Sequence, residues 1–361
     1  SKFGTGNLTT LKDEPLAKGI DVRERLLELH NEYYSSSVMR LAIVGKEPLD
    51  TLAEWVTDIF TPIKNKRQEP PVFPHNAFQP EYLSSIYSVV PVKDLRKLEL
   101  LFIVPPSKHL YRTKPLSILG HLLGHESKGS VLLLLKEKGW ASSLSAGGQF
   151  EATSCVSGFS VTVALTEEGL NHVDDIVLIV FEYINILKNA GAGDWKRIYE
   201  ECQLIKGNKF RFKSKEPPMR YVRSLASNMH VYPPEDLLSG PYLLQEFDLD
   251  VLTSYVSHLI PENLRIHIIS QTLEGKTTKK EKWYGTDYDV EPIPDALLKT
   301  VKDILIQTAD QTINQKLHLP APNIFIPSDF SLKCGKDISD AGKDKSFVHP
   351  TLLKEVAGAE V

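Results

Sequence analysis

The stretch Leu119–Gly129, "LGHLLGHESKG", decides how the chain is read. Two histidines, His121 and His125, stand four apart, and Glu126 follows at once. On a helix, positions i and i+4 share a face, so both imidazoles would project from one side. Zinc peptidases use that geometry, since the metal needs three protein ligands and hydrolysis needs a base beside the bound water. In the inverted zinc motif, His-x-x-Glu-His supplies two ligands and the base, and a carboxylate far downstream completes the set. Here the frame reads His121-Leu-Leu-Gly124-His125, with glycine in the position of the base. Glu126 does not replace it, because two positions further on it lies about 200° around the helix. Glu200 or Glu201, about 75 residues after His125 in a helical segment, stands as a third ligand on paper. Three readings stay open: a metal site, the relic of one, or two ordinary histidines near a helix end. The expectation is that no zinc sits here and that the pair hydrolyses nothing by itself.

Around this stretch the periodicity predicts a helix from Pro115, a residue tolerated in a first turn, through "PLSILGHLLGH". "GSVLLLLKEKGW" (129–140) is a second helix, stopped by Gly139. "SAGGQFEATS" (145–154) reads as a flexible turn, though its glycines would also let an extended peptide pair with a strand edge. "GFSVTVAL" (158–165) alternates Phe159, Val161, Val163 and Leu165, a strand with one buried face. Residues 166–191 form one long helix, capped by Thr166 and ended by Gly191, and the next begins with Asp194 as its cap. Upstream, residues 82–105 read as two strands, "YLSSIYSVVPV" and "KLELLFIVPP".

Further out, residues 19–33 and 47–60 carry apolar residues at helical spacing, and "VMRLAIVG" (38–45) between them reads as a strand. Helix, short polar link and strand recur in residues 247–270, which suggests the end of one α+β domain followed by a whole copy of it. Between the copies, residues 61–82 hold five prolines and mixed charge, the composition of a linker. Residues 334–361 are polar and read as an extended tail or as the truncated start of something else.

A chain of 361 residues with 42% hydrophobic and 24% charged content is a soluble globular protein of about two domains. The net charge of −4 gives no footprint for nucleic acid, and no apolar run is long enough to span a membrane. Cys155, Cys202 and Cys334 make neither a disulfide framework nor a metal knuckle, so reduced thiols and a cytoplasmic location are expected. The chain starts without an initiator Met or a signal-peptide pattern, and the expectation is a fragment or a processed product. "FGTGN" and "SAGGQ" match no phosphate-binding pattern. "KGNKFRFKSKEPPMRYVR" (206–223) is basic with interleaved aromatics: a solvated helix face, or an anionic-ligand surface with Arg220 and Arg223 as candidates. Trp283 and Tyr284 are expected to be packing residues.

Long stretches in register, among them "GIDVRERLLELHNEYYSSS", "VPVKDLRKLELLF", "LGHLLGHESKGS", "LKEKGW", "FRFKSKE" and "EGKTTKKEKWYGT", carry a close resemblance to a family. The chain resembles the insulysin branch of the pitrilysin/inverzincin zinc metallopeptidases, over residues 1 to about 330. The resemblance implies a pitrilysin-like α+β roll. It divides the chain into the end of a first peptidase domain (1–62), a linker (63–81), a whole second, non-catalytic domain (82–330) and a tail (331–361). Zinc would belong to the full-length enzyme, in the first domain ahead of Ser1, with no cofactor in this chain. The stretch "HLLGH" would be the second domain's degenerate counterpart of the motif. That domain would hold an exosite for the substrate's N-terminal end, made by matching from His121, Gly124, Glu126, Leu144 and either Ala146 or Gly147. The ambiguity arises because the family's "LVGGQ" stands here as "LSAGGQ". A polyanion site in the same chamber would involve Arg220 and Arg223, although other basic positions read Pro217 and Met219. The expected partners are peptide substrates, the remaining domains of the enzyme and a second copy in a homodimer, without nucleic acid or membrane. The alternative is a stand-alone inactive homologue that binds peptides or regulates a partner peptidase.

Overall fold

Apolar residues recur at every second position of Arg96–Val104 and Ser157–Leu165, and these segments pair antiparallel inside one seven-stranded sheet. The computed structural model describes residues 6–71, 78–149, 155–308 and 316–331. In chain order their elements begin with helices α1 (Glu14–Ala17), α2 (Val22–Tyr33) and α3 (Leu49–Phe60). Strands β1 (Ser85–Val89) and β2 (Arg96–Val104), helices α4 (Pro115–Leu123) and α5 (Val131–Glu137), and strands β3 (Ala141–Gln149) and β4 (Ser157–Leu165) follow. Next come α6 (Glu167–Asn171), α7 (Val173–Lys188), α8 (Ala192–Arg211), α9 (Pro218–Asn228) and α10 (Leu249–Ser257). Strands β5 (Leu264–Ser270), β6 (Lys279–Lys280) and β7 (Asp287–Pro292) and helix α11 (Asp295–Leu305) complete the set. The sheet order is β3-β4-β2-β5-β1-β7-β6, with β1 and β5 parallel and every other pair antiparallel. Helices and a mixed sheet in this arrangement make the expected α+β fold.

Alternation sends Leu98, Leu100 and Phe102 of β2, Phe159, Val161 and Val163 of β4 and Ile266 of β5 into one core. The apolar face of α7, with Ile176, Val180, Ile184 and Leu187, belongs to the same cluster. Phe181 meets Phe102 edge-on, with ring centroids 5.8 Å apart. On the other face of β2, Leu101 and Ile103 form a small cluster with Val156, against which Phe78 and Leu83 at the end of the proline-rich segment pack. No single helix among the described residues is long and apolar enough to cross a membrane.

Several local expectations need correction. Residues 38–45 form no strand: Ser36–Val38 is a 3₁₀ turn, and residues 39–45 carry no regular structure. Backbone groups of a strand need a neighbour, and here residues 35–37 bond instead to Lys64, Lys66 and Gln68. The "SAGGQ" turn is part of strand β3, held by β4 in register from Ser143 to Gln149. The helix expected over 166–191 breaks at His172 and closes at Asn189, while Gly191 becomes the N-cap of α8 in place of Asp194. Thr166 does cap α6, accepting the Gly169 N–H at 2.9 Å. Gly139 follows α5 with φ +74°, a conformation that ends a helix cheaply only for glycine. Trp283 and Tyr284 are 37% and 55% exposed on the β6–β7 connection and do not pack in the core. The chain divides into two compact units, residues 1–322 and 323–361. Of the second, residues 323–331 carry only a turn, and the expected tail from 334 onward lies outside the described residues.

Candidate functional site

The "GHLLG" stretch contains a second i, i+4 pair, Gly120 and Gly124, and it is this pair that builds the site. Both glycines face β3. A Cβ on Gly120 would stand 2.9 Å from the Ala146 carbonyl oxygen and 3.1 Å from the Gly147 Cα. One on Gly124 would meet the Gly120 carbonyl oxygen at 2.7 Å and the Ala146 nitrogen at 3.2 Å. The missing side chains let α4 rest directly on the strand. A glutamate at 124, the residue a zinc motif requires, has no room without moving β3 or α4.

Among the described residues β3 is the edge of the sheet, paired on one side by β4 only. Between this edge, α4 and α8 lies a cavity of about 420 Å³. Ala146, Gly147 and Gly148 form its strand wall, and Gly120 and His121 belong to its helix wall. Nothing stands within 4 Å of a Cβ built on Gly147, so this position looks onto open space. The third wall is α8, which presents Cys202, Ile205, Lys206 and Lys209. Cys202, Lys206 and Lys209 fall at i, i+4 and i+7, one face of a helix. That spacing was readable in the sequence, but only the fold sets it opposite β3.

The histidines meet, though not on one helix. α4 ends at Leu123 with Gly124 as its C-cap, so His125 lies beyond the last turn. The rings stand 5.4 Å apart, edge to face. Nδ1 of His125 accepts the Ser127 N–H at 3.2 Å and lies 3.0 Å from the Ser127 hydroxyl, which leaves Nε2 to carry the proton of the neutral ring. Burial, then the neighbouring His125, and also Lys206 and Lys209, hold the His121 pKa below the ordinary value against the pull of Glu201. Burial lowers His125 likewise, opposed by Glu126 and Glu201. Both rings therefore favour the neutral form. Glu201 accepts from Arg197 at 3.1 Å, while Glu200 is exposed. Among the described residues no group of three or more His, Cys, Asp or Glu side chains is arranged to hold a metal ion.

Of the other candidates, Leu144 is buried in the core and Glu126 is exposed just past α4. Neither side chain lines the cavity. Arg220 and Arg223 are exposed on α9 and take no part in it. The Cys202 thiol is pushed up to about 11, chiefly by burial, which leaves it protonated and unreactive.

The site is thus an α+β unit with an open strand edge beside a histidine pair whose intervening position is Gly124. The model of the peptidase M16 inactive domain matches residues 21–198, and that of the middle or third domain of peptidase M16 matches residues 210–361. The chain belongs to the M16 peptidase family. It is 44% identical over 357 residues to the insulin-degrading enzyme of Homo sapiens, covering 99% of this chain and 33% of that protein. It is 41% identical over 332 residues to the A-factor-processing enzyme of Saccharomyces cerevisiae, covering 92% and 31%. The crystal structure of pitrilysin superposes with a TM-score of 0.80 at 27% identity, over 91% of this chain and 33% of that one. The chain thus spans about a third of the length of the curated relatives it matches.

Proposed function

We propose that this chain is part of a zinc metalloendopeptidase that degrades small peptides, and that its share of the work is to anchor a peptide by its N-terminal end. The observation that carries the reading is the unpaired edge of β3 at Ala146–Gly148, open at Gly147 and bordered by the cavity under α4. An extended peptide laid along such an edge gains backbone hydrogen bonds without needing a particular sequence. A free terminal amine is cationic and suits the exposed Glu126 just past α4. In this reading residues 1–62 close a first domain, 63–81 link it to the next, and 82–330 form the anchoring domain.

Zinc would be held elsewhere in the full-length enzyme. The residues present here do not suit it: Gly124 leaves no base, His125 turns Nδ1 to Ser127, and Glu201 is engaged by Arg197. The chain by itself is expected to be catalytically silent.

The test is fluorescence anisotropy with a C-terminally labelled peptide, free or acetylated at its N-terminus. The free peptide is expected to bind about tenfold tighter, a difference of about 1.4 kcal/mol. Glu126→Ala and Gly147→Val are each expected to weaken it. Equal binding of free and acetylated peptide would remove the reading.

A further inference from the structure

The sheet has a second face, turned away from the core helices. Leu264 and Ile266 of β5 belong to the core, so Arg265 between them points to the other side. Its register partner on β2 is Leu101, of the small apolar cluster on that face. The guanidinium lies 4.1 Å from the centroid of the Tyr87 ring and 5.5 Å from that of Phe78. Its Nε is buried and has no hydrogen-bond partner. Arg25, Arg96, Arg112 and Arg197 each pair with a carboxylate, whereas Arg265 pairs with none among the described residues. A buried donor left without a partner is rare in a folded chain and points to a missing acceptor.

Arg265 lines a cavity of about 790 Å³. Tyr87 and Val89 of β1 and their register partners Val290 and Tyr288 of β7 form its floor. Lys279 of β6, at the far edge of the sheet from β3, lines it as well. The acids on this side do not meet Arg265. Glu281 Oε2 accepts the N–H groups of Trp283 and Tyr284, Glu99 is held by Lys97 and His267, and the exposed Glu81 makes no ion pair with Arg265. β1 stands four strands from β3, about 19 Å at the usual spacing, so this cavity is separate from the one under α4.

We infer that this cavity takes the C-terminal carboxylate of a peptide whose last residue is apolar or aromatic. Arginine offers a planar fork that matches a carboxylate through parallel hydrogen bonds. Stacking on Tyr87 holds that fork in place. A terminal residue carries its carboxylate and its side chain on the same Cα. With the carboxylate on Arg265, an apolar side chain falls on the floor of Val89, Tyr288 and Val290. A glutamate or aspartate side chain brings the charge without that neighbouring apolar group. The inference stands apart from the amine-anchoring reading and adds a second site for the other end of a peptide.

The test is fluorescence anisotropy on the full chain with short peptides labelled at the N-terminus, which blocks the amine and silences the anchoring site. A peptide ending in phenylalanine as the free acid is expected to bind about tenfold tighter than its C-terminal amide. It is expected to exceed a free acid ending in glycine by a similar factor. Arg265→Gln is expected to abolish the advantage of the acid over the amide. Arg265→Lys keeps the charge without the fork and is expected to lose most of that advantage, which covers the case in which glutamine disturbs β5. Glu126→Ala is expected to change nothing here; a preference lost in that variant would place the carboxylate at the anchoring site and overturn the inference. Equal binding of acid and amide, or a preference that survives both Arg265 variants, also overturns it. An amidated peptide with a glutamate next to its last residue that binds as tightly as the free acid overturns it in favour of side-chain carboxylates. Phenylpropionate that competes as tightly as the peptide overturns it in favour of small aromatic acids.

Discussion

Helix α4 and the two N-terminal helices α2 and α3 have equally clear sequence patterns and opposite fates. α4 buries Leu116, Ile118, Leu119, Leu122 and Leu123, whereas α2 and α3 bury nothing at all. On α3, Leu49, Trp55 and Ile59 are 83%, 49% and 66% exposed. Both regions have amphipathic helices with apolar residues at the right spacing, so local propensity does not separate them. What separates them is a sheet: α4 rests on β3 and shares a buried core with β2 and β4, whereas residues 38–45, expected as a strand beside α2 and α3, form none among the described residues. Amphipathic helices draw most of their stability from the face they bury.

That contrast is open to attack at several strengths. The largest effect is expected at the core. Phe102→Ala, at a side chain with no exposure, should cost about 3–5 kcal/mol of unfolding free energy in a denaturant titration. Trp55→Ala in α3 should stay within about 0.5 kcal/mol of the parent. A large loss at Trp55 would mean that α3 is packed in solution.

Next in size is Gly124→Glu, which restores the letters of the inverted zinc motif. It should destabilise the chain by about 1–3 kcal/mol, as overpacking against β3 does. Metal analysis of the purified variant should find no stoichiometric zinc. Helix caps give a smaller contrast. Thr166→Ala should lower global stability by about 1 kcal/mol, since α6 lies within the packed unit. Asp21→Ala removes an equivalent bond from Glu24 N–H in α2 and should reduce helicity without moving the main transition.

The smallest effect is in pH. His121 has a lowered pKa in the fold, so the unfolded chain binds more protons around and below the ordinary histidine range. Its contribution is complete above the unfolded pKa of about 6.5 and is lost as pH falls from there through the lowered folded value. Stability between pH 7 and 5 should therefore decline, and His121→Asn should flatten that slope. His172 acts with the opposite sign. Hydrogen bonds to Asp175 and then Glu168 raise its pKa, so its contribution is present at low pH and fades as pH rises through the raised value. Comparing thermal unfolding of His172→Gln and His121→Asn across this range should show slopes changing in opposite directions.

Much of this was legible in residue order. Period-two alternation identified β4, and the spacing in Pro115–His125 identified α4, because burial on one face imposes those periods. β3 was missed since "SAGGQ" has neither alternation nor β-branched residues; its state is set by pairing with β4 from the side. The strand over residues 38–45 was the reverse error: strong β composition with no neighbour to pair with. At the site, the histidine pair and the glycines were visible as spacings. Lys206 and Lys209 were visible only as members of a basic stretch, because nothing local says that α8 crosses opposite β3.

The sequence by itself determined the family, the α+β class and the glycine at position 124 between the two histidines, since these depend on residue identity and spacing. Tertiary structure alone decided what that glycine does. Gly120 and Gly124 become the contact on which α4 seats against an edge strand, and the lysines of α8 close a cavity over it. Both results depend on which surfaces meet, across more than 20 residues for α4 on β3 and more than 80 for α8 on α4, and no local preference encodes those meetings.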